Sequence, residues 1–127
     1  MKQADQRPVF LNLLQIRLPL GGVLSILHRV SGVLLVLAIP VFIFSLQLLG
    51  GGENTFSQAQ VLIQTVTGKI LASLIIWVLI QHSMSGVRHL MMDLDYSYNK
   101  QLARRTATFA FALSFLLIIL TGVLIWQ

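Results

Sequence analysis

Val30-Ser31-Gly32-Val33-Leu34-Leu35-Val36-Leu37-Ala38-Ile39-Pro40-Val41-Phe42-Ile43-Phe44-Ser45-Leu46-Gln47-Leu48-Leu49 contains no charged side chain. A helix rises 1.5 Å per residue, so about 20 apolar residues cross the roughly 30 Å hydrocarbon core of a bilayer. This stretch has that length, and it decides the fold class: an all-α integral membrane protein. Upstream, Gly21-Gly22-Val23-Leu24-Ser25-Ile26-Leu27-His28-Arg29 is mixed in character and extends the first span to about 21–49. Pro40 is expected to kink this helix, which packed membrane helices tolerate. Gly50-Gly51-Gly52-Glu53-Asn54 is a turn signal.

Moving outward along the chain, two more spans emerge. Residues 70–80 are strongly apolar but too few to cross, so the second helix must carry Gln81, His82, Ser83 and Ser85 at membrane depth. It is placed at about 62–90. A helix that keeps polar residues in the hydrocarbon usually points them at a partner or a cofactor. A polar loop at about 91–104 precedes the third span, at about 105–126. The chain is thus read as one membrane-anchor domain, 1–127, with an N-terminal segment at 1–20 and a bundle of three transmembrane helices.

Composition agrees. Of 127 residues 56% are hydrophobic and 10% charged, whereas soluble domains carry about 25% charged residues; too little polar surface exists to cover a water-soluble fold. The chain has no cysteine, which excludes disulfides, thiolate chemistry and iron–sulfur ligation by its own side chains. The net charge of +5 reports topology, with no nucleic-acid partner implied. The N-terminus, with Asp5, Arg7 and Arg17 ahead of an over-long apolar run, is expected to be neither a cleaved signal nor a transit peptide. A bacterial inner membrane is the expected location.

Lys and Arg set the orientation. Lys2, Arg7, Arg17 and Arg29 precede Val30, and Arg88, Lys100, Arg104 and Arg105 surround the second loop. The 50–61 connection has none, and Lys69 is the exception at the start of the second span, where its stem can snorkel. The positive-inside rule places the N-terminus in the cytoplasm and the C-terminus in the periplasm, with Trp126 in the outer aromatic belt.

In an antiparallel pair, the start of the first span lies level with the end of the second. Ser25, His28 and Arg29 therefore gather with His82 in one inner zone. Ser25 and Arg29, four apart, share a helix face with Gly32 next along it. A hydroxyl and a guanidinium at headgroup depth could hold a polar ring whose apolar tail stays in the bilayer. The alternative is that Arg29 snorkels to lipid phosphate and Ser25 bonds back to its own helix. His82 is either an iron ligand of a haem or an imidazole hydrogen-bonded to a neighbouring helix. Gly86, one turn on, would leave room for a flat macrocycle. His89 lies about 10 Å beyond His82 along the same helix, so these two cannot face one another across a ring. A second axial ligand would come from His28 or from another polypeptide. Arg88 and His89 read as inner-boundary residues, and Asp93 and Asp95 as loop carboxylates. No span holds an acid, which argues against a proton-coupled transporter.

At these positions the chain resembles the cytochrome b556 membrane-anchor subunits of bacterial succinate dehydrogenase (succinate:quinone oxidoreductase, complex II). Arg7-Pro8 and Leu13-Leu14-Gln15-Ile16-Arg17-Leu18-Pro19-Leu20 begin the likeness. Ser25-Ile26-Leu27-His28-Arg29-Val30-Ser31-Gly32 and His82-Ser83-Met84-Ser85-Gly86-Val87-Arg88-His89-Leu90-Met91-Met92-Asp93 carry most of it. The resemblance implies that His82 is an axial ligand of haem b, with the other ligand from a second small membrane-anchor subunit. It implies that Ser25, Ile26 and Arg29 belong to a ubiquinone pocket, and that His28 and Arg29 approach the haem propionates. It also implies an iron–sulfur subunit and a flavoprotein subunit as partners, beside membrane lipid. Electrons from succinate oxidation would then reach quinone at a site this chain helps to form, with no succinate chemistry of its own. The rival readings are the anchor of a quinol:fumarate reductase, a cofactor-free scaffold, and a stand-alone b-type cytochrome using His28 and His82.

Overall fold

The computed structural model describes residues 18–94 and 99–127. Lys2, Asp5, Arg7, Arg17, the 7–17 part of the family-like sequence and Asp95 lie outside the described residues. The described chain is helical: α1 Leu20–Gly50, α2 Glu53–Gln64, α3 Val66–Asp93 and α4 Lys100–Trp126. α1, α3 and α4 are long and apolar enough to cross a membrane.

Proline starts α1. Pro19 sits in the extended region at φ −64°, ψ 154°, and its ring disfavours helical backbone at Leu18. Its carbonyl then accepts from the N–H of Gly22 at 2.8 Å. The helix runs unbroken through Pro40 for 31 residues, about 46 Å at 1.5 Å per residue. That exceeds the hydrocarbon thickness, so α1 must tilt or project. The turn at its end needs glycine, because Gly52 has φ +109°, a conformation costly for any residue with a Cβ.

Within the 50–54 turn signal the chain enters α2, which runs from Glu53 into the expected start of the second span, and that span begins at Val66 rather than near 62. Thr65 separates the two helices. Its backbone is extended, its hydroxyl donates to the Leu62 carbonyl at 2.6 Å, and the same oxygen accepts from the Gly68 N–H at 3.0 Å. Gly68 lies so close to the Leu62 carbonyl oxygen that no Cβ fits there. A bare backbone at 68 is what lets α2 fold back within one residue. At the far loop, the Asn99 side chain caps α4 by accepting from Leu102 N–H at 2.7 Å. α4 therefore begins at Lys100, ahead of the expected 105.

α3 packs between α1 and α4, and α1 also touches α4. The interior is made of small groups. Leu24, Ala107 and Ala110 form the buried apolar cluster, with Leu20 packed against it, and Ser85 and Ser114 are fully buried. Without water to expel, membrane helices associate through close backbone approach and interhelical hydrogen bonds, which small residues permit. The large apolar side chains, among them Val33, Val36, Leu37, Phe42, Phe109 and Leu124, point outward. This is the inverse of a soluble core and suits a lipid solvent.

α3 presents two polar stripes. Gln81, Ser85 and Arg88 are buried with Val78 inside the bundle, where Gln81 donates to the Ser85 hydroxyl at 2.9 Å. The adjacent stripe, His82, Gly86 and His89, faces α1.

Candidate functional site

Three glycines set the approach of α1 to α3. A Cβ on Gly21 would stand 3.0 Å from Arg88 Nη2; one on Gly32, 3.1 Å from His82 Cε1; one on Gly86, 3.3 Å from His28 Nε2. Each polar side chain is thus seated against backbone of the opposite helix. The sequence expectation that antiparallel helices gather His28 and His82 holds in the structure. The level is finer than expected, however: His82 is opposite Gly32, while Ser25 is about two turns, roughly 10 Å, nearer the Lys- and Arg-rich end.

Backbone holds the His82 ring. Its Nδ1 lies 3.2 Å from the His28 carbonyl oxygen and 3.2 Å from Ser31 Oγ. A carbonyl only accepts, so Nδ1 bears the hydrogen and donates to it. Ser31 in turn donates its hydroxyl to the same carbonyl at 2.9 Å, which leaves its oxygen lone pairs for Nδ1–H. Nε2 is then the nitrogen with the free lone pair. A metal-bound histidine characteristically donates its other N–H to a carbonyl or carboxylate, which fixes tautomer and orientation. His82 therefore keeps an Nε2 lone pair available to a metal, and in that respect the residues present fit a haem.

His28 occupies the space beside it. Its ring stacks on His82 with centroids 4.3 Å apart and 16° between planes, and it stands 5.1 Å from the tilted ring of His89. Two imidazoles stacked face to face leave no thickness for a macrocycle and cannot aim nitrogens at one iron between them. In this packing His28 and His82 therefore do not face one another across a macrocycle. Gly86, read as room for a macrocycle, instead receives His28. Among the described residues, no three His, Cys, Asp or Glu side chains are grouped as a metal site.

Arg88, read as an inner-boundary residue, packs at the start of α1 and the first turn of α4. It is 5% exposed, lies against Gly21, and donates from Nη2 to the Ala103 carbonyl of α4 at a long 3.4 Å. Its Nε has no hydrogen-bond partner among the described residues. Ser25 is half-buried, while Ile26 and Arg29 are exposed on α1. Of the trio expected to line a quinone pocket, Ile26 and Arg29 thus lie on the outer surface of this chain, with Ser25 partly covered. The cleft between α1 and α3 farther along, lined by Leu34, Ala38, Val41, Leu71, Ile75 and Val78, is apolar. Sequence reasoning assigned no role to Ser31, although its place three residues after His28 put it on that helix face; its contact with His82 needs the second helix.

The chain matches the family described as Succinate dehydrogenase/Fumarate reductase transmembrane subunit over residues 3–121. It is similar to the succinate dehydrogenase cytochrome b556 subunit of Coxiella burnetii (strain RSA 493 / Nine Mile phase I), 33% identical over 122 residues, 95% of this chain and 98% of that one. It is similar also to the protein of the same name from Paracoccus denitrificans, 30% identical over 115 residues, 91% of this chain and 88% of that one.

Proposed function

The chain belongs to the succinate dehydrogenase/fumarate reductase transmembrane-subunit family, and from that premise we propose that it is the haem b-binding anchor of a succinate dehydrogenase, forming part of the site where ubiquinone is reduced. The observation that carries the reading is the His82 ring, tied at Nδ1 to the His28 carbonyl and Ser31 with Nε2 left to coordinate. A second iron ligand would come from another small membrane subunit, a reading supported by His28 being stacked on His82. Haem b, when bound, supplies a one-electron store beside the quinone site.

The residues of this chain do the rest. Quinone takes two electrons, delivered from a flavoprotein through an iron–sulfur subunit, and two protons. Arg29, exposed on α1, donates hydrogen bonds to a quinone carbonyl oxygen and stabilises the negative charge that develops there. Ser25 on the same face donates its hydroxyl and orients the ring, with Ile26 against it. His28 and Arg29 would offer N–H donors and positive charge to the haem propionates. The basic end faces the cytoplasm and the Trp126 end the periplasm of a bacterial inner membrane, on the charge distribution. Lys69 at the Trp126 end runs against the rule alone, and its ammonium lies 5.9 Å from the Trp126 ring centroid, an interfacial arrangement.

The test is the reduced-minus-oxidised spectrum of the purified complex. His82→Ala is expected to abolish or shift the b-type bands; unchanged bands refute the assignment. Arg29→Ala is expected to cripple quinone reduction while succinate-dependent reduction of a soluble dye survives. Equal loss of both activities counts against the pocket. A quinol:fumarate reductase anchor would be distinguished by faster turnover from quinol to fumarate than from succinate to quinone.

A further inference from the structure

The serines and threonines inside these helices mostly have one fate. Ser45 donates to Val41, Ser114 to Ala110, Thr121 to Leu117, each back onto its own helix, which satisfies a hydroxyl in lipid without involving a neighbour. Ser31 makes that bond too, to the His28 carbonyl, but its oxygen also meets an imidazole of another helix at 3.2 Å. It is 3% exposed, so water does not compete for either contact.

We propose that Ser31 is a positioning residue for the haem ligand, and that it tunes the iron through the Nδ1–H of His82. The proposal rests on His82 being the ligand. The serine and the His28 carbonyl form a two-acceptor cradle for one N–H. Because the serine proton is committed to that same carbonyl, its oxygen is left as an acceptor and reinforces the tautomer with Nε2 free. Accepting from Nδ1–H pushes electron density toward Nε2, which makes the imidazole a stronger donor and favours ferric over ferrous iron. The bare backbone of Gly32 lets the ring come close enough to α1 for both acceptors to reach it.

Removing the oxygen should leave the ligand in place and weaken its donation. In the assembled complex purified from membranes, Ser31→Ala is expected to retain haem but raise its midpoint potential and alter the low-spin ferric resonance. Each tenfold fall in ferric-over-ferrous preference reads as a rise of about 59 mV for a one-electron couple. Ser31→Thr, which keeps the hydroxyl, is expected to return the potential toward the native value. Ser31→Cys, close in size with a weaker acceptor, should give a smaller rise of the same sign, and serves where Ser31→Ala does not assemble. An unchanged potential and resonance in Ser31→Ala or Ser31→Cys, with the haem signature lost in His82→Ala, overturns the proposal alone. A haem signature that survives His82→Ala overturns the ligand reading and the proposal together.

Discussion

Replacing Gly32 with alanine would place a methyl carbon 3.1 Å from Cε1 of His82. Non-bonded carbons rest about 3.5–4.0 Å apart, so the ring must withdraw from α1 by about 0.4 Å or more. Both acceptors of Nδ1–H sit on the helix that carries the new methyl, each at 3.2 Å. The withdrawal stretches them to about 3.6 Å, where a side-chain hydrogen bond no longer counts as one. Two such bonds contribute about 1 kcal/mol each, while alanine in place of glycine returns about 0.8–1.0 kcal/mol of helix propensity. Overall stability should therefore fall by about 1 kcal/mol. Ligand geometry should suffer, because losing outer-shell partners typically lowers metal affinity about 10–100-fold. The assay is haem per flavin in purified complex, followed during challenge with a haem-scavenging protein. Gly122→Ala is the control, since nothing lies within 4 Å of a Cβ at that position. Haem retention and spectrum equal to wild type in Gly32→Ala would refute the reasoning, and equal loss in both variants would show a generic effect.

Other consequences are structural. Arg88→Ala should lower thermal stability of the detergent-solubilised complex by about 2–5 kcal/mol through the void between α1 and α4, whereas Arg88→Met should cost less than about 1.5 kcal/mol; equal damage from both would assign the effect to the charge. Gly68→Ala should cost more than the roughly 1 kcal/mol of the Thr65 cap, because backbone must shift at Leu62, and should open the α2–α3 turn, read as faster labelling of a cysteine placed at 64; unaltered labelling would contradict the crowding at Leu62. Trp126→Phe removes the indole N–H donated to Ser73 at 3.2 Å and should cost at most about 1 kcal/mol at this exposed site; a larger loss in thermal unfolding would mean that Trp126 is buried against a partner.

Much of this protein is legible from residue order alone because lipid imposes a blunt rule. Every backbone polar group in the hydrocarbon must be satisfied within the segment, so the two full-length apolar runs, and the shorter one extended through Gln81–Leu90, have to be helices. The same reading found His82, Ser25, His28 and Arg29, since polar groups in a span are costly and rarely accidental. It could not see α2, whose short mixed sequence between Gly52 and Thr65 lacks a span's signal. Nor could it settle contacts across helices. That His28 stacks on His82 rather than opposing it, that Arg88 is sealed inside, and that Ser31 reaches the imidazole all follow from how Gly21, Gly32 and Gly86 let two backbones close together. Periodicity assigns a residue to a helix face; which atoms meet there depends on the axial register of α1 against α3, and that register is set by packing between segments far apart in the chain.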